Sequence, residues 1–313
     1  MFIDDVLMSE GITKDWPGGE ITREMLLKAF RSVFVVKNQN VWEYFQAHML
    51  RDKILCADYP NVAPTMPGMW FEWVAGTKLI LDPASGESRS GRLRIGVLCS
   101  AEDLTVLGPE EAGPILDSYR ECGIEPGPET RWSVMGMVFS QILEPGKKPH
   151  ILGVIGWRVG HNGELLPSGE NNGFAYTLHP RYDTERKNDF SGTIGVGARA
   201  CWLALSLMHC KNVPIVKSQP IPEALQRARA RRCKPPLFRH HTLVIDSSRP
   251  VTRDQAAVNM GSSGAALHIC RGHFKNFGER GLFGKYTGTY WWPMHARGSA
   301  AHGTVTKDYE VRT

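Results

Sequence analysis

Five stretches between residues 69 and 159 carry aromatic and branched side chains at the two-residue period of strands: MWFEWV, TKLILD, RLRIGVLCS, RWSVMGMVFSQIL and HILGVIGWRV. Turn-forming pairs and triplets separate them, namely Asp82-Pro83, Ser85-Gly86, Pro126-Gly127-Pro128 and Glu144-Pro145-Gly146. Strands joined in this way fold back on one another, so this part of the chain is expected to be an antiparallel meander. Glu72 is the one carboxylate set among its aromatic residues, and such a residue is expected on the exposed face. Residues 102–122 are read as a crossing helix with an acidic first turn.

Helical periods frame the meander. Residues 22–31 space Met25, Leu26, Ala29 and Phe30 on one helical face, and residues 41–54 repeat the pattern with Trp42, Phe45, Met49 and Leu50. Residues 195–210, GVGARACWLALSLMHC, are apolar on nearly every side, so a helix there must be buried. Its Gly195-Val196-Gly197 start completes neither phosphate-loop pattern and is not read as one. Residues 161–173, polar and glycine-rich, are read as a long hairpin loop or lid.

A chain of 313 residues exceeds one typical domain, and two lobes are expected. The N-terminal stretch lacks the basic and continuous apolar regions of a secretory signal, and the longest apolar runs are too short for a membrane helix. Seven cysteines, an odd number without CxxC pairs, fit reduced and mostly buried thiols in a bacterial cytoplasm.

Charge divides the chain more sharply than composition does. Residues 211–313 hold 17 Lys and Arg against 6 Asp and Glu, so of the net +5 this part carries +11 and residues 1–210 carry −6. An acidic body with a basic, polyanion-facing end is the expectation. The boundary region 211–241 contains a short basic helix, 222–232, with Arg227, Arg229, Arg231 and Arg232 on more than one face. Such a helix cannot bury all four and presents charge to solvent or phosphate, with Arg227 and Arg231 as phosphate contacts. Strand-like runs follow at 239–246, 265–270, 288–292 and 304–311. The expected fold class is therefore α+β, in two parts. Residues 1–210 form an antiparallel meander lobe with N-terminal helices and one buried helix. Residues 211–313 form a basic helix with a four-stranded antiparallel module.

The last fifty residues concentrate the chemistry. LHICRGHFKNFGERGLFGKYTGTYWWPMHARGSAAHG interleaves histidines, basic residues and aromatics between glycines, with few carboxylates. The patterns RGHFK, GLFGKYTGTYWW and HxRG, with LSLMHCKNVPIV and RARARRCKPPLFRHHTLVI before them, resemble a group of proteins encoded by bacteriophages, prophages and plasmids. The resemblance covers residues 203–311 best. It implies a mobile-element setting and no particular reaction.

Two functions follow from the residue types. Metal-independent RNA cleavage needs a base for the 2'-hydroxyl, an acid for the leaving oxygen and cations around the phosphorane. His273 and His295 would be acid and base, with Tyr290 as a further proton carrier and Arg271, Lys275, Lys285 and Arg297 on phosphate. If one strand runs on past Cys270, then Arg271, His273 and Lys275 face the same side. Alternatively, the protein binds nucleic acid or belongs to a particle without catalysis. Basic groups would then hold the backbone while Phe274, Phe277, Tyr290, Trp291 and Trp292 stack on bases. Adjacent Trp291 and Trp292 cannot both face outwards from a strand, and one serves the core.

RNA is favoured over DNA, a protein partner or second copy could dock on the N-terminal lobe, and no membrane partner is expected. Neither a cofactor nor a metal is expected. Cys270, His273, His295 and His302, with His268 in reserve, do not repeat a zinc-site spacing, and their basic neighbours oppose a dication. Ser262 and Ser263 lack a nucleophile elbow.

Overall fold

The computed structural model describes residues 2–8, 23–31, 33–48, 59–81, 88–108, 113, 116–117, 120, 123–167, 173–178, 187–245, 266–270, 272–292, 295–297 and 299–304. Two compact units emerge. The first comprises Met1–His209 with Ile215–Leu243, and the second Cys210–Pro214 with Val244–Thr313.

A nine-stranded mixed sheet with helices makes up the first unit. Its strands are β1 (Phe34–Lys37), β2 (Gly68–Leu81), β3 (Ser88–Asp103), β4 (Thr130–Ile142), β5 (His150–Gly160), β6 (Leu165–Leu166), β7 (Ala175–Leu178), β8 (Ile215–Lys217) and β9 (His240–Leu243). They run in the order β6-β5-β4-β3-β2-β1-β9-β8, with β7 paired to β5. The β2-β3-β4-β5 stretch is the antiparallel meander read from the sequence. MWFEWV and TKLILD belong to one strand, β2, because Gly76 stays in register opposite Arg92. β3 reaches Asp103, so the helix expected at 102–122 starts later; residues 113, 116, 117 and 120 are helical.

Helices cover both faces of this sheet, as a sheet apolar on both sides demands. Side chains alternate along β2, so Trp70 points to one face and Trp73 to the other. Around Trp70 gather Phe2, Ile3, Val6 and Leu7 of α1 (Phe2–Met8), Leu26 and Phe30 of α2 (Arg23–Arg31), Phe139 and Ile151. Trp73 stacks on Trp42 of α3 (Gln39–His48), with ring centroids 5.8 Å apart. The expected buried helix is α4 (Lys187–Met208). It packs on α3, β5 and β7, and Ala198, Ala200, Cys201, Leu203, Ala204, Leu205 and Leu207 are fully enclosed. Gly195-Val196-Gly197 lies within it.

Glu72 is not a bystander. Its carboxylate accepts from Trp70 Nε1 at 2.9 Å and from the Phe2 backbone N–H at 3.2 Å, fastening α1 to the sheet. The expected lid at 161–173 begins instead as a tight turn, with Gly163 at φ 87°, leading into β6 beside β5. Residues 168–172 lie outside the described residues.

The basic helix and the first strand assigned by sequence to the C-terminal module belong to the first unit. α5 (Glu223–Arg231) buries none of its residues, and β9 inserts between β1 and β8, parallel to β1. β1 is the reason. This four-residue strand between two helices would otherwise leave its outer backbone edge unpaired, and β9 satisfies it. Of the four arginines, Arg229 is consumed in structure, donating to Asp4 Oδ1 at 3.0 Å and to the Pro235 carbonyl at 2.8 Å. Arg227 and Arg231 stay exposed.

His240 and His241 of β9 resist protonation. Burial holds His240 below the ordinary histidine range, helped by the charges of Lys37 and His241. Burial also lowers His241, against the bond from its ring to the Val35 carbonyl, and Lys217 and Arg239 lower it further. The unfolded chain takes up protons near pH 6.5 and the folded pair only at lower pH, so stability from these residues is intact above about pH 6.5 and lost as pH falls below it. Melting of the full chain should therefore occur at lower temperature near pH 5 than near pH 7.5. A His240→Gln, His241→Gln variant, weaker throughout because the Phe34–His241 stack is lost, should show a smaller difference between the two. An unchanged difference would exclude this pair as its source.

Candidate nucleic-acid interface

In the second unit β11 (His273–Leu282) and β12 (Tyr286–Trp292) form a hairpin, and β13 (His295–Arg297), β10 (Ala266–Cys270) and β14 (Ser299–Thr304) form a separate three-stranded sheet in that order. HFKNFGERGL reads poorly as a strand because glycines and charges interrupt it, yet YTGTYWW pairs with it in a defined register. His273 lies opposite Trp292, Phe274 opposite Trp291, Lys275 opposite Tyr290 and Phe277 opposite Gly288.

That register sorts the side chains, because cross-strand partners share a face. One face carries Phe274 and Trp291, with centroids 4.7 Å apart and Trp291 only 4% exposed. The other carries His273, Lys275, Phe277, Tyr286, Tyr290 and Trp292, all partly or largely exposed. On it Phe277 meets Tyr290 at 5.6 Å and Trp292 at 5.7 Å, and Tyr286 meets Tyr290 edge-on at 6.3 Å. Lys275 sits 4.5 Å above the Trp292 ring, and Lys285 lies 5.4 Å from the Tyr286 ring. A continuous row of rings with a cation near each end results. Seven strand residues make it about 20 Å long.

The outer edge of β12 is closed by the segment preceding β8. Asn212 donates to the Trp291 carbonyl at 2.7 Å and accepts from the Trp291 N–H at 2.8 Å, while the Lys211 N–H bonds the Thr289 carbonyl at 3.1 Å. Asn212 thus imitates a strand partner and fixes which way Trp291 and Trp292 point. The stem of Lys211 lies over Gly288, where a Cβ would come 3.0 Å from Lys211 Cε, and its ammonium reaches Thr287 Oγ1 at 3.4 Å. Gly288 therefore makes room for a third lysine.

The residues named from sequence are only partly assembled. His273, Lys275 and Tyr290 share the open face, with Lys285 at its end. His295 and Arg297 are on β13, opposite Cys270 and His268 of β10, so His295 belongs to a different sheet from His273. β10 ends at Cys270 and β11 starts at His273, so no single strand aligns Arg271 with His273 and Lys275. Arg271 itself, and the side chains of His268, Cys270, His295, Arg297 and His302, lie outside the described residues. Arg227 and Arg231 are in the first unit, on α5. Lys211, Asn212 and Tyr286 were missed. Only the ring spacing of Tyr286 and Tyr290, four apart across a glycine, hinted at any of them.

Burial pushes the Cys210 thiol up to about 12. Cys99, Cys201 and Cys210 are buried cysteines outside any disulfide, as expected, whereas Cys233 is exposed. Among the described residues no cluster of His, Cys, Asp and Glu could hold a metal ion, and no helix is long and apolar enough to cross a membrane. No protein-family profile, curated protein or solved structure matches the chain.

Proposed function

We propose that the protein binds single-stranded nucleic acid, RNA in preference to DNA, on the open face of the β11–β12 hairpin. The observation that carries this reading is the row Tyr286, Tyr290, Phe277 and Trp292, flanked by Lys285 and Lys275, opposite a face that keeps Trp291 for the interior. Rings on a sheet stack on unpaired bases of any sequence, and neighbouring cations hold the phosphates. A paired duplex hides the base faces this surface would use. The mobile-element setting implied by the sequence resemblance, and the second unit's 10 Lys and Arg against 5 Asp and Glu, net +5, agree with a polyanionic partner.

Anisotropy titrations of the full chain with short unstructured RNA, the matching DNA and their duplexes test it. Single strands should bind more tightly than duplexes. Neutralising about three phosphates, one for each of Lys211, Lys275 and Lys285, should give a log–log salt slope of about −2. Equal affinity for duplexes, or no salt-sensitive binding, would overturn the reading.

Cleavage is the second reading, favoured by one observation: His273 and Tyr290 are diagonal neighbours on the open face, beside Lys275. There His273 would take the 2'-hydroxyl proton, Tyr290 would protonate the leaving 5'-oxygen, and Lys275 would face the phosphorane charge. Chelator-resistant cutting lost in His273→Ala would support it, and intact RNA after prolonged incubation would leave a binding protein.

A further inference from the structure

The tip of the β11–β12 hairpin carries a residue that neither backbone nor packing favours. Leu282 and Tyr286 are paired, and the Lys285 N–H returns to the Leu282 carbonyl at 3.1 Å. Within this turn Phe283 has φ 56° and Gly284 φ 67°. Two successive positive φ values make a type I′ turn, whose first central position ordinarily takes Asn, Asp or Gly. A bulky side chain there crowds its own backbone. Phe283 is also 88% exposed, more than any other large hydrophobic residue among those described. Folding would be better served by a small polar residue in this place. What the ring does gain is position: it sits exposed in the turn at the end of the aromatic row, in the same loop as Lys285, which lies over Tyr286, with Arg280 exposed on the preceding strand.

Resting on the reading of the open face as a nucleic-acid platform, we infer that Phe283 is a base wedge, inserting between two successive bases of the bound strand where it leaves the sheet. Strained residues persist where function uses them, and exposed apolar rings on cationic surfaces serve other proteins as wedges between base steps. The cations beside it favour a nucleic acid over an apolar protein surface. Insertion unstacks one step, so the wedge fixes where along the strand the protein stops and adds affinity that the face alone does not supply.

Phe283→Asn separates the two consequences. Asn is at home in this turn, so the variant's melting temperature should rise, while its affinity for single-stranded RNA should fall roughly 5- to 150-fold, the loss of one base stack. Phe283→Leu keeps an apolar wedge without a π face and should lose less affinity than Phe283→Asn. In RNA carrying 2-aminopurine at successive positions, the wild type should brighten the fluorescence of one position, and Phe283→Asn should abolish that signal. Wild-type binding with Phe283→Asn unchanged in affinity overturns the wedge and leaves the platform standing. A melting temperature that falls in Phe283→Asn overturns it as well, because the ring would then serve the fold. Absence of wild-type binding removes platform and wedge together.

Discussion

A Tyr290→Ala, Trp292→Ala variant is expected to bind single-stranded RNA on the order of 100-fold more weakly than the wild type, with little loss of stability. Each stacked base is worth about 1–3 kcal/mol, or roughly 5- to 150-fold in affinity. Both rings lie on the open face, so their removal forfeits cross-strand contacts of about 0.2–1 kcal/mol each and leaves the Phe274–Trp291 contact and the Asn212 bonds in place. Trp291→Ala is the informative contrast. It empties the buried side, so the hairpin should loosen and binding should be lost together with cooperative melting. Anisotropy titration paired with thermal melting reads both quantities. Normal affinity in the double variant would move the binding surface away from the hairpin.

Trp70→Ala should have the largest effect on the first unit. The ring is fully buried, with Phe2, Phe30 and Phe139 at 5.8, 5.2 and 5.7 Å, and it lies so close over Gly96 that a Cβ at that position would overlap it. Truncating a buried aromatic costs about 3–5 kcal/mol. Glu72 would also lose the indole donor that helps hold it in place beneath α1. At about 2–4 °C per kcal/mol for a domain of this size, the melting temperature of the first unit should drop by roughly 10 °C or more. Hydrogen exchange should show α1 opening first, since both its apolar contacts and the Phe2 N–H bond converge on this residue pair. A shift of only a degree or two would mean that α1 contributes little to the fold.

What could be read from the chain alone was whatever depends on neighbours in sequence. Period-two runs gave the meander, because alternation is a property of each strand by itself. The all-round apolar composition of residues 195–210 required burial, since no face could be given to water. The adjacency of Trp291 and Trp292 already meant that one of them turns inwards. Partners distant in sequence were decided by the tertiary structure. β1 is four residues long and leaves no distinctive period, yet its parallel pairing draws in β9 from 205 residues later and removes a strand from the expected C-terminal module. Register between β11 and β12 chose Trp291 for the interior and Trp292 for the open face, a choice that alternation alone leaves undetermined. The break between Cys270 and His273 put His273 and His295 on different sheets, although only 21 residues separate them in sequence. Local chemistry specifies which side chains are available; the pairing of backbone edges, satisfied only across long stretches of sequence, decides which of them meet.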